Sequence, residues 1–408
     1  MESKISFLRS NYTSMIVVAF LLFLDFLLLL QMSSTLSIGY YEALTLYKES
    51  GIVSFIIKTS FELFGQSDFT LRLPFMVLHL LSGTFLYLYS LKVFKRREDA
   101  LLSFMLFLLL PGVNSSALLV SEASIVIFFL IFYLYLYKTN STLSFMLLPL
   151  MLILDNSFWP LFLSLFFYGV CKKDRALLLG GLIMFGLSTY IHGIDTGGYP
   201  RSYFLDSIGG YAAVLSPLLF LYFVYAIYRT LIKEKKNMLW FVVFIPFVIA
   251  LILSVRQKLD FETFGPYAVI ATPMLVGVFM SGYRVRLKEF RGRYRKLFYV
   301  VLGFLLLSFI AMPLNRYLYV IYEKPSKHFA YNYQVVKELS DELKNMGINS
   351  VLSDDESLLL RLKFYGIDAG GNWWIDRGEC KNRGKEVSIL YSGITVDTFC
   401  VTKVHINR

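Results

Sequence analysis

Charged side chains in this sequence stand at the ends of long apolar segments, where they could act on a phosphate-bearing substrate at a membrane surface. Glu122 opens one apolar run in LLVSEASIVIFF, and Arg72 closes a polar segment in LFGQSDFTLRLP. Arg256 and Lys258 come shortly before two acidic residues in VRQKLDFETFGPYAVIATP. Two separate cationic positions with carboxylates nearby are suited to holding a phosphate and deprotonating an acceptor. Taken alone, Glu122 is also compatible with a solvated cap at the end of a helix.

Other common catalytic patterns are absent from the sequence. It contains no glycine-rich phosphate loop, no nucleophile elbow and no metal-spaced group of His or Cys residues. The four histidines, His79, His192, His328 and His405, are far apart along the chain. We therefore assign no metal ligand and expect no cofactor, and we leave a divalent metal as an open alternative.

The composition specifies the environment in which these side chains must act. Of the 408 residues, 56% are hydrophobic and only 17% are charged, with a mean hydropathy of +0.59. These values indicate a polytopic helical membrane protein and exclude soluble enzymes, nucleic-acid binders and secreted disulfide scaffolds. The net charge of +11 comes from short Lys and Arg clusters between the apolar runs, which is typical of cytoplasmic loops. We expect membrane lipid as a partner and no nucleic acid.

The apolar runs predict about eleven transmembrane helices. The first run follows a leader with Lys4 and Arg9, and we interpret it as a retained anchor whose N-terminus is cytoplasmic. The runs are 14–33, 75–94, 99–113, 117–137, 142–157, 158–171, 176–193, 212–232, 238–255, 266–283 and 297–315. Alternating them across the membrane puts the basic clusters at 95–97, 138, 172–173, 233–236 and 284–296 on the cytoplasmic side. The protein is thus predicted to be a multi-pass protein of the plasma (inner) membrane.

This topology places the last residues outside the cytoplasm. Apolar residues at helical spacing, followed by strand-like INSVL, SILY and FCVTKVHI, predict a small extracytoplasmic α/β domain over 316–408. Cys380 and Cys400 lie in this domain, where they either form a disulfide or remain a free pair. Trp373 and Trp374 either stack on a sugar or pack inside the domain.

The remaining residues, 1–315, form the predicted membrane module. Its outer segment 34–74 has apolar and charged residues in a pattern that suits helices lying in the membrane interface. Asp25 stands in the middle of the first run, so it must have a partner or be protonated. Asp155 is interpreted as part of an outer turn. Arg201 lies in a glycine-rich outer loop that either closes over an acceptor or simply connects two helices.

One stretch of the sequence resembles a known superfamily. The string FELFGQSDFTLRLPFMVLHLLSGTFLYLYSLKVFKRREDALLSFMLFLLLPGV resembles the early part of the GT-C glycosyltransferases, in the group of protein O-mannosyltransferases and bacterial aminoarabinose transferases. SEASIVIFFLIFYLYLY, RQKLDFETFGPYAVIATP and the C-terminal α/β domain follow the same template in the same order.

The resemblance implies an inverting glycosyltransferase that takes a sugar from a polyprenyl-phosphate donor on the outer face. It implies an envelope glycan, lipid or protein as the acceptor. In this interpretation Arg72, Arg256 and Lys258 hold the donor phosphate and Tyr267 lines the groove. Glu122, with Glu42, orients or deprotonates the acceptor. The remaining residues assigned to the acceptor side or a lid are Tyr40, Tyr41 and Arg201.

The sequence also departs from this superfamily. Its members carry an acidic pair just after the first span, and Ser37 and Ile38 stand at those positions here. Glu42 is a few residues away, and it acts as the base if the loop shifts by a turn; otherwise it is a surface charge. The alternative is therefore a catalytically degenerate relative that serves as an accessory or binding protein in envelope assembly, with a transporter as the third option.

Overall fold

The computed structural model describes residues 2–193, 202–321, 325–380 and 384–403, with side chains from Thr13 onward. The first 311 residues are almost entirely helical. Their helices are α1 (Glu2–Thr35), α2 (Tyr40–Tyr47), α3 (Ile52–Phe64), α4 (Asp68–Val93), α5 (Arg97–Leu109), α6 (Pro111–Leu118), α7 (Ala123–Thr139), α8 (Ser141–Leu154), α9 (Trp159–Lys172), α10 (Arg175–His192), α11 (Phe204–Leu215), α12 (Pro217–Lys233), α13 (Met238–Leu253), α14 (Phe261–Val269), α15 (Thr272–Val285) and α16 (Lys288–Ala311).

The chain divides into two compact units. The first contains Met1–Leu29 and Phe75–Phe309, and the second contains Leu30–Pro74 and Ile310–Arg408. The boundaries fall inside α1, α4 and near the end of α16. The segment 34–74, which the sequence analysis assigned to the membrane module, groups with the C-terminal residues in this division. The division of the chain at residue 316 stays a prediction.

The first unit contains the apolar helices. Five helices of the described chain are long and apolar enough to cross a bilayer, and the number rises to seven if two bent helix pairs each form one span. Three shorter apolar helices, α7, α8 and α13, accompany them. Ten of the eleven predicted runs fall mainly on one helix or one such pair, and the run 266–283 covers the end of α14 and most of α15, which together form the candidate span Phe261–Val285. The helices confirm the multi-pass membrane class, while the number of spans and their orientation stay predictions.

Prolines mark the two bends. Pro111 begins α6, at 56° to α5, and Pro217 begins α12, at 103° to α11. Proline lacks a backbone N–H and tolerates the first turn of a helix, so each bend sits where a new helix starts. At the second bend Ser216 has a φ of 74°, a backbone conformation that non-glycine residues rarely adopt.

A buried polar pair lies inside the first unit. Asp25 in α1 and His79 in α4 are 5% and 3% exposed, and the His79 Nε2 and Asp25 Oδ2 atoms are 2.6 Å apart. The expected partner of Asp25 is therefore present, and it comes from a helix 54 residues further along the chain. The pairing satisfies a carboxyl group that would otherwise be isolated among apolar side chains.

The second unit contains the α/β domain. Its later elements are α17 (Asn315–Leu318), α18 (Val336–Asn345), β1 (Ser350–Leu352), α19 (Glu356–Phe364), β2 (Asp368–Arg377), β3 (Lys385–Tyr391) and β4 (Ile394–Lys403). The sheet has the order β1-β2-β4-β3, with β1 parallel to β2 and the other pairs antiparallel. α19 makes the crossover that a parallel pair requires.

A tight turn and a disulfide connect parts of the sheet. Ser392 and Gly393 both have positive φ values and join β3 to β4 in a two-residue hairpin, as primed turns do. Cys380 and Cys400 form a disulfide, which confirms the bridged alternative. The strand β2 was not predicted; it contains Trp373, which packs against the domain core.

Candidate functional site

Arg72 lies at the centre of a buried ionic group in the second unit. Its side chain is 0% exposed. It donates from Nη2 to the Ser37 carbonyl oxygen at 2.9 Å and to Glu42 Oε2 at 3.4 Å, and from Nη1 to the Asp68 carbonyl oxygen at 3.1 Å. The Asp68 carboxylate is 3.9 Å from Nη1. The predicted phosphate-binding cation is thus engaged by protein groups on several sides.

Glu42 is also buried, at 1% exposure. Besides Arg72, its Oε2 atom accepts a hydrogen bond from the Gly39 backbone N–H at 2.8 Å, because Glu42 is the third residue of α2 and reaches back to the start of the helix. Glu42 was expected to be either a base or a surface charge. Its burial and its ion pair with Arg72 show that it is not a surface charge.

A second arginine reaches the same loop. Arg361 of α19 donates from Nε to the Ile38 carbonyl oxygen at 2.9 Å and from Nη2 to the Gln334 carbonyl oxygen at 3.1 Å. Burial lowers the pKa of Arg361 to about 10. Ser37 and Ile38, which stand where the related enzymes carry acids, therefore supply backbone carbonyls to two buried guanidinium groups.

Asp68 connects this group to the C-terminal domain. Its carboxylate accepts a hydrogen bond from the Tyr365 hydroxyl at 2.7 Å and pairs with Lys337 Nζ at 2.8 Å. Burial, followed by the charge of Asp68, raises the pKa of Tyr365. The polar side chains of 34–74 thus hold that segment to α18 and α19. Tyr41 is 76% exposed, and the Tyr40 ring lies 5.5 Å from that of Tyr41 at an interplanar angle of 56°.

The first unit contains a separate group of carboxylates. The carboxyl group of Glu122, in the connection before α7, lies close enough to that of Glu262, near the start of α14, for the two to interact, and Asp155 and Asp260 contribute further negative charge. Glu122 is half-buried and Glu262 is exposed, and the neighbouring carboxylates disfavour the ionised form of each. The arrangement can therefore store or accept a proton.

Local helix chemistry positions Glu262. Asp260 caps α14: its Oδ1 accepts from the Glu262 backbone N–H at 2.9 Å, and its Oδ2 accepts from the Thr263 hydroxyl at 2.7 Å. The Thr263 hydroxyl is also 3.1 Å from the Ser157 hydroxyl, next to the turn that Asp155 begins. Capping thus fixes the first turn of α14 and with it the Glu262 backbone.

A small cavity of about 180 Å³ adjoins this group. Glu262 lines it together with the serines of the α6 region, Ser115, Ser116 and Ser121. Gly112 and Gly265 form part of its wall, and a Cβ at Gly112 would meet Val214 at 2.5 Å. The other lining residues are apolar, so the serine hydroxyls and the Glu262 carboxyl are the polar groups of a mainly apolar cavity.

The cations predicted for the donor lie in the same connection as Asp260. Arg256 and Lys258 are exposed and fall between α13 and α14. Tyr267, which was expected to line a groove, is 1% exposed and donates to the Ser157 carbonyl oxygen at 2.7 Å. We correct that expectation: Tyr267 supports the Ser157 turn from inside the helix packing. Arg201 lies outside the described residues.

The structure brings together residues that the sequence left apart. Glu42 meets Arg72 in the second unit, and Glu122 meets Glu262 in the first. From the sequence, Glu262 was placed only in the basic outer segment before a predicted span, and Asp155 only in an outer turn. Their common signal was their position at the ends of apolar runs. Among the described residues, no group of three or more His, Cys, Asp or Glu side chains is placed to hold a metal ion.

The chain combines a set of apolar helices with a small four-stranded α/β domain near its C-terminus, which is the architecture of a polytopic membrane protein with an appended domain. Residues 48–154 match the family described as dolichyl-phosphate-mannose-protein mannosyltransferase. The fold is similar to that of ArnT from Cupriavidus metallidurans, crystallised with undecaprenyl phosphate, with a TM-score of 0.54 and 11% identity over 87% of this chain and 85% of that chain. No curated protein matches the sequence. The resemblance to GT-C glycosyltransferases is confirmed at the level of the fold.

Proposed function

We propose that this protein is a membrane glycosyltransferase that moves a sugar from a polyprenyl-phosphate donor to an acceptor of the cell envelope, at the outer face of the plasma (inner) membrane. The acceptor is a protein, a lipid or a glycan. A polyprenyl carrier is supported by the similarity to ArnT, which was crystallised with undecaprenyl phosphate. The family matched by residues 48–154 is described as using a dolichyl-phosphate sugar.

The neighbouring carboxyl groups of Glu122 and Glu262 carry the proposal. An acceptor hydroxyl in the cavity that Glu262 lines would lie next to this carboxyl group. Its oxygen attacks the anomeric carbon while its proton passes to the carboxyl pair. The bond between that carbon and the donor phosphate oxygen breaks, and the electron pair leaves with the phosphate. A single displacement of this kind inverts the anomeric configuration. A carboxyl group whose acidic neighbours disfavour its ionised form is suited to accept a proton near neutral pH.

Arg256 and Lys258 are proposed to hold the donor phosphate. They precede Glu262 by six and four residues, so cations and proton acceptor belong to one short stretch of chain. Negative charge grows on the phosphate oxygen as the sugar departs, and cations fixed beside it stabilise the transition state more than the ground state. A metal ion is not part of this proposal.

Arg72 and Glu42 receive a different role from the one expected. We propose that they brace the 34–74 segment, because both are buried in mutual contact. Tyr41, whose ring is largely exposed, remains the candidate of that segment for contact with an acceptor. The base of the reaction is then Glu122 with Glu262, and Glu42 takes no proton.

The decisive assay follows radiolabelled sugar leaving mixed polyprenyl-phosphate sugars in the presence of the purified full-length protein. Glu122→Gln and Glu262→Gln should each lower kcat by about 100-fold or more, the usual contribution of a positioned proton acceptor, with the donor KM little changed. The double variant Arg256→Gln/Lys258→Gln should raise the donor KM in addition to lowering kcat. Glu289→Gln, at an exposed carboxylate of α16, is the matched control and should retain full activity.

Two outcomes would contradict the proposal. Full transfer activity in both Glu122→Gln and Glu262→Gln would remove the proton acceptor from the mechanism. Saturable donor binding that depends on Arg256 and Lys258, but with no turnover on any acceptor or on water, would instead indicate the degenerate accessory protein.

A further inference from the structure

An apolar groove runs beneath α16 in the first unit, away from the carboxylate group. Its volume is about 380 Å³, and it lies among α5, α12, α15 and α16. Every side chain that lines it is Leu, Val, Tyr or Phe, with Tyr222, Phe279 and Phe298 contributing aromatic faces. A space whose walls are mainly aliphatic and aromatic offers water few polar partners, so it suits a hydrocarbon chain.

The position of α16 explains why the groove exists. The Phe279 ring of α15 stacks against Tyr294 and Phe298 of α16, each at 4.8 Å between ring centroids. These bulky rings hold the two helices together at one line of contact. On the same helix Leu297, Val300 and Leu307 are half or more exposed, as expected of a helix whose neighbours include lipid.

The groove opens into a cationic mouth. A second cavity of about 490 Å³ is lined by Arg229, Lys233 and Arg286 together with Ser281. Tyr225 lines both cavities, so the apolar groove and the cationic mouth adjoin. Basic side chains at the end of an apolar groove are complementary to a lipid with a negatively charged headgroup.

The charges of the mouth are only partly balanced. Arg229 Nε is 3.4 Å from Glu234 Oε1, and Arg229 Nη2 donates to the Ser281 hydroxyl at 3.2 Å. Arg286 lies over the Tyr294 ring at 4.2 Å, which directs its guanidinium along the groove. Three cations thus face one carboxylate, and both Lys233 and Arg286 are exposed.

This mouth is separate from the proposed catalytic group. Glu262 is the second residue of the candidate span Phe261–Val285, and Arg286 follows its last residue. With a rise of 1.5 Å per residue, the two lie about 36 Å apart along the helix axis. A lipid whose headgroup is at Arg286 therefore lies at the opposite end of the span from a donor at Glu262.

We propose that the groove and its cationic mouth bind an anionic phospholipid, with the phosphate at Lys233 and Arg286 and an acyl chain between α12 and α16. Ser281 and Tyr228, which also line the mouth, can hydrogen-bond the headgroup. Phospholipids greatly outnumber polyprenyl phosphates in any bilayer, so mass action favours the phospholipid as the occupant. The bound lipid fills the space that the aromatic stack leaves beneath α16.

The test is native mass spectrometry of the delipidated full-length protein with phosphatidylglycerol, and with phosphatidylcholine of the same acyl chains. Phosphatidylglycerol should bind at least fivefold more tightly. Lys233→Gln/Arg286→Gln should weaken it by about 30-fold, since each cation near a membrane surface contributes about a factor of five to binding an anionic lipid. Lys95→Gln/Arg96→Gln removes two exposed cations outside the groove and should leave the affinity unchanged.

A second variant tests the apolar part. Val301→Trp places a large ring in the groove from α16 and should abolish phosphatidylglycerol binding while Lys233 and Arg286 remain. Inorganic phosphate should not displace the lipid, because it has no chain to fill the groove.

Three results would overturn the proposal. Equal affinity for the two phospholipids would exclude recognition of the negative headgroup. An equal loss in the Lys95→Gln/Arg96→Gln control would indicate general surface charge. Displacement of phosphatidylglycerol by an equal concentration of undecaprenyl phosphate would identify an isoprenoid lipid as the occupant instead.

Discussion

Replacement of Arg72 by Met distinguishes a structural role from a donor-binding role. The side chain is 0% exposed and donates to two backbone carbonyl oxygens and to the Glu42 carboxylate. Methionine matches the length of the arginine stem but donates no hydrogen bond. The substitution leaves Glu42, at 1% exposure, without its cation.

The size of the effect follows from this burial. Removing one partner of a buried ion pair costs about 3–5 kcal/mol, because the remaining charge stays away from water. In a unit of the size of residues 30–74 with 310–408, each kcal/mol lowers Tm by about 3 °C. We therefore expect Arg72→Met to lower the Tm of the second unit by about 10–15 °C.

Tryptophan fluorescence can report the second unit alone. Trp159 and Trp240 belong to the first unit and Trp373 and Trp374 to the second, so a Trp159→Phe/Trp240→Phe parent restricts the signal to β2. Thermal unfolding in detergent is then compared between this parent and the Arg72→Met variant.

Two further variants complete the experiment. Adding Glu42→Gln to Arg72→Met should recover at least half of the lost Tm, because it removes the stranded carboxylate. Lys48→Gln breaks the exposed ion pair with Glu356 and should change Tm by less than 2 °C, as surface pairs contribute little. An Arg72→Met variant within 2 °C of the parent, with a raised donor KM, would refute the bracing role and restore the phosphate-binding one.

Three other predictions follow from buried groups of both units. Asp25→Leu and His79→Leu should each lower the stability of the helical unit by about 3 kcal/mol, and the double variant should recover part of it; additive losses in thermal unfolding would contradict the pairing. Cys380→Ser/Cys400→Ser opens a loop of 20 residues and should cost about 3 kcal/mol, whereas reduction that leaves Tm and gel mobility unchanged would argue against the bridge. Burial lowers the pKa of His328, so as pH falls through about 6.5 the unfolded chain binds a proton at this imidazole more readily than the folded chain does. The Tm of the second unit should therefore fall on acidification, and His328→Gln should reduce this dependence of Tm on pH. An unchanged dependence in His328→Gln would assign it to another group.

The loop after α1 accounts for the main departure from the GT-C enzymes. The resemblance implies two acids at positions 37 and 38, but the chain presents backbone carbonyls there to Arg72 and Arg361. Two guanidinium groups can be satisfied by carbonyl oxygens as well as by carboxylates. The absence of the acids therefore does not leave the arginines unsatisfied, and the proposed proton acceptor lies elsewhere, at Glu122 and Glu262.

The sequence by itself determined the properties that depend on neighbouring residues. Long apolar runs specify membrane helices, and all but one of the predicted runs lie mainly on a single helix or a bent pair, the exception being 266–283, which covers parts of α14 and α15. Helical and alternating spacing specified α18, α19 and the strands at the end of the chain. The strand β2 escaped because its residues, with Gly370 and Gly371 at positive φ, show no regular alternation.

Only the tertiary structure decided which charged side chains meet. Glu42 lies 30 residues from Arg72 in the chain, and Glu122 is separated from Glu262 by several helices. Their contacts depend on which helices pack together. The hydropathy of the sequence does not specify this, because an apolar helix face can pack against many other apolar faces with similar energy. The same holds for the groove beneath α16, which exists because the rings of Phe279 and Phe298 set the spacing between two helices that the sequence presents simply as apolar.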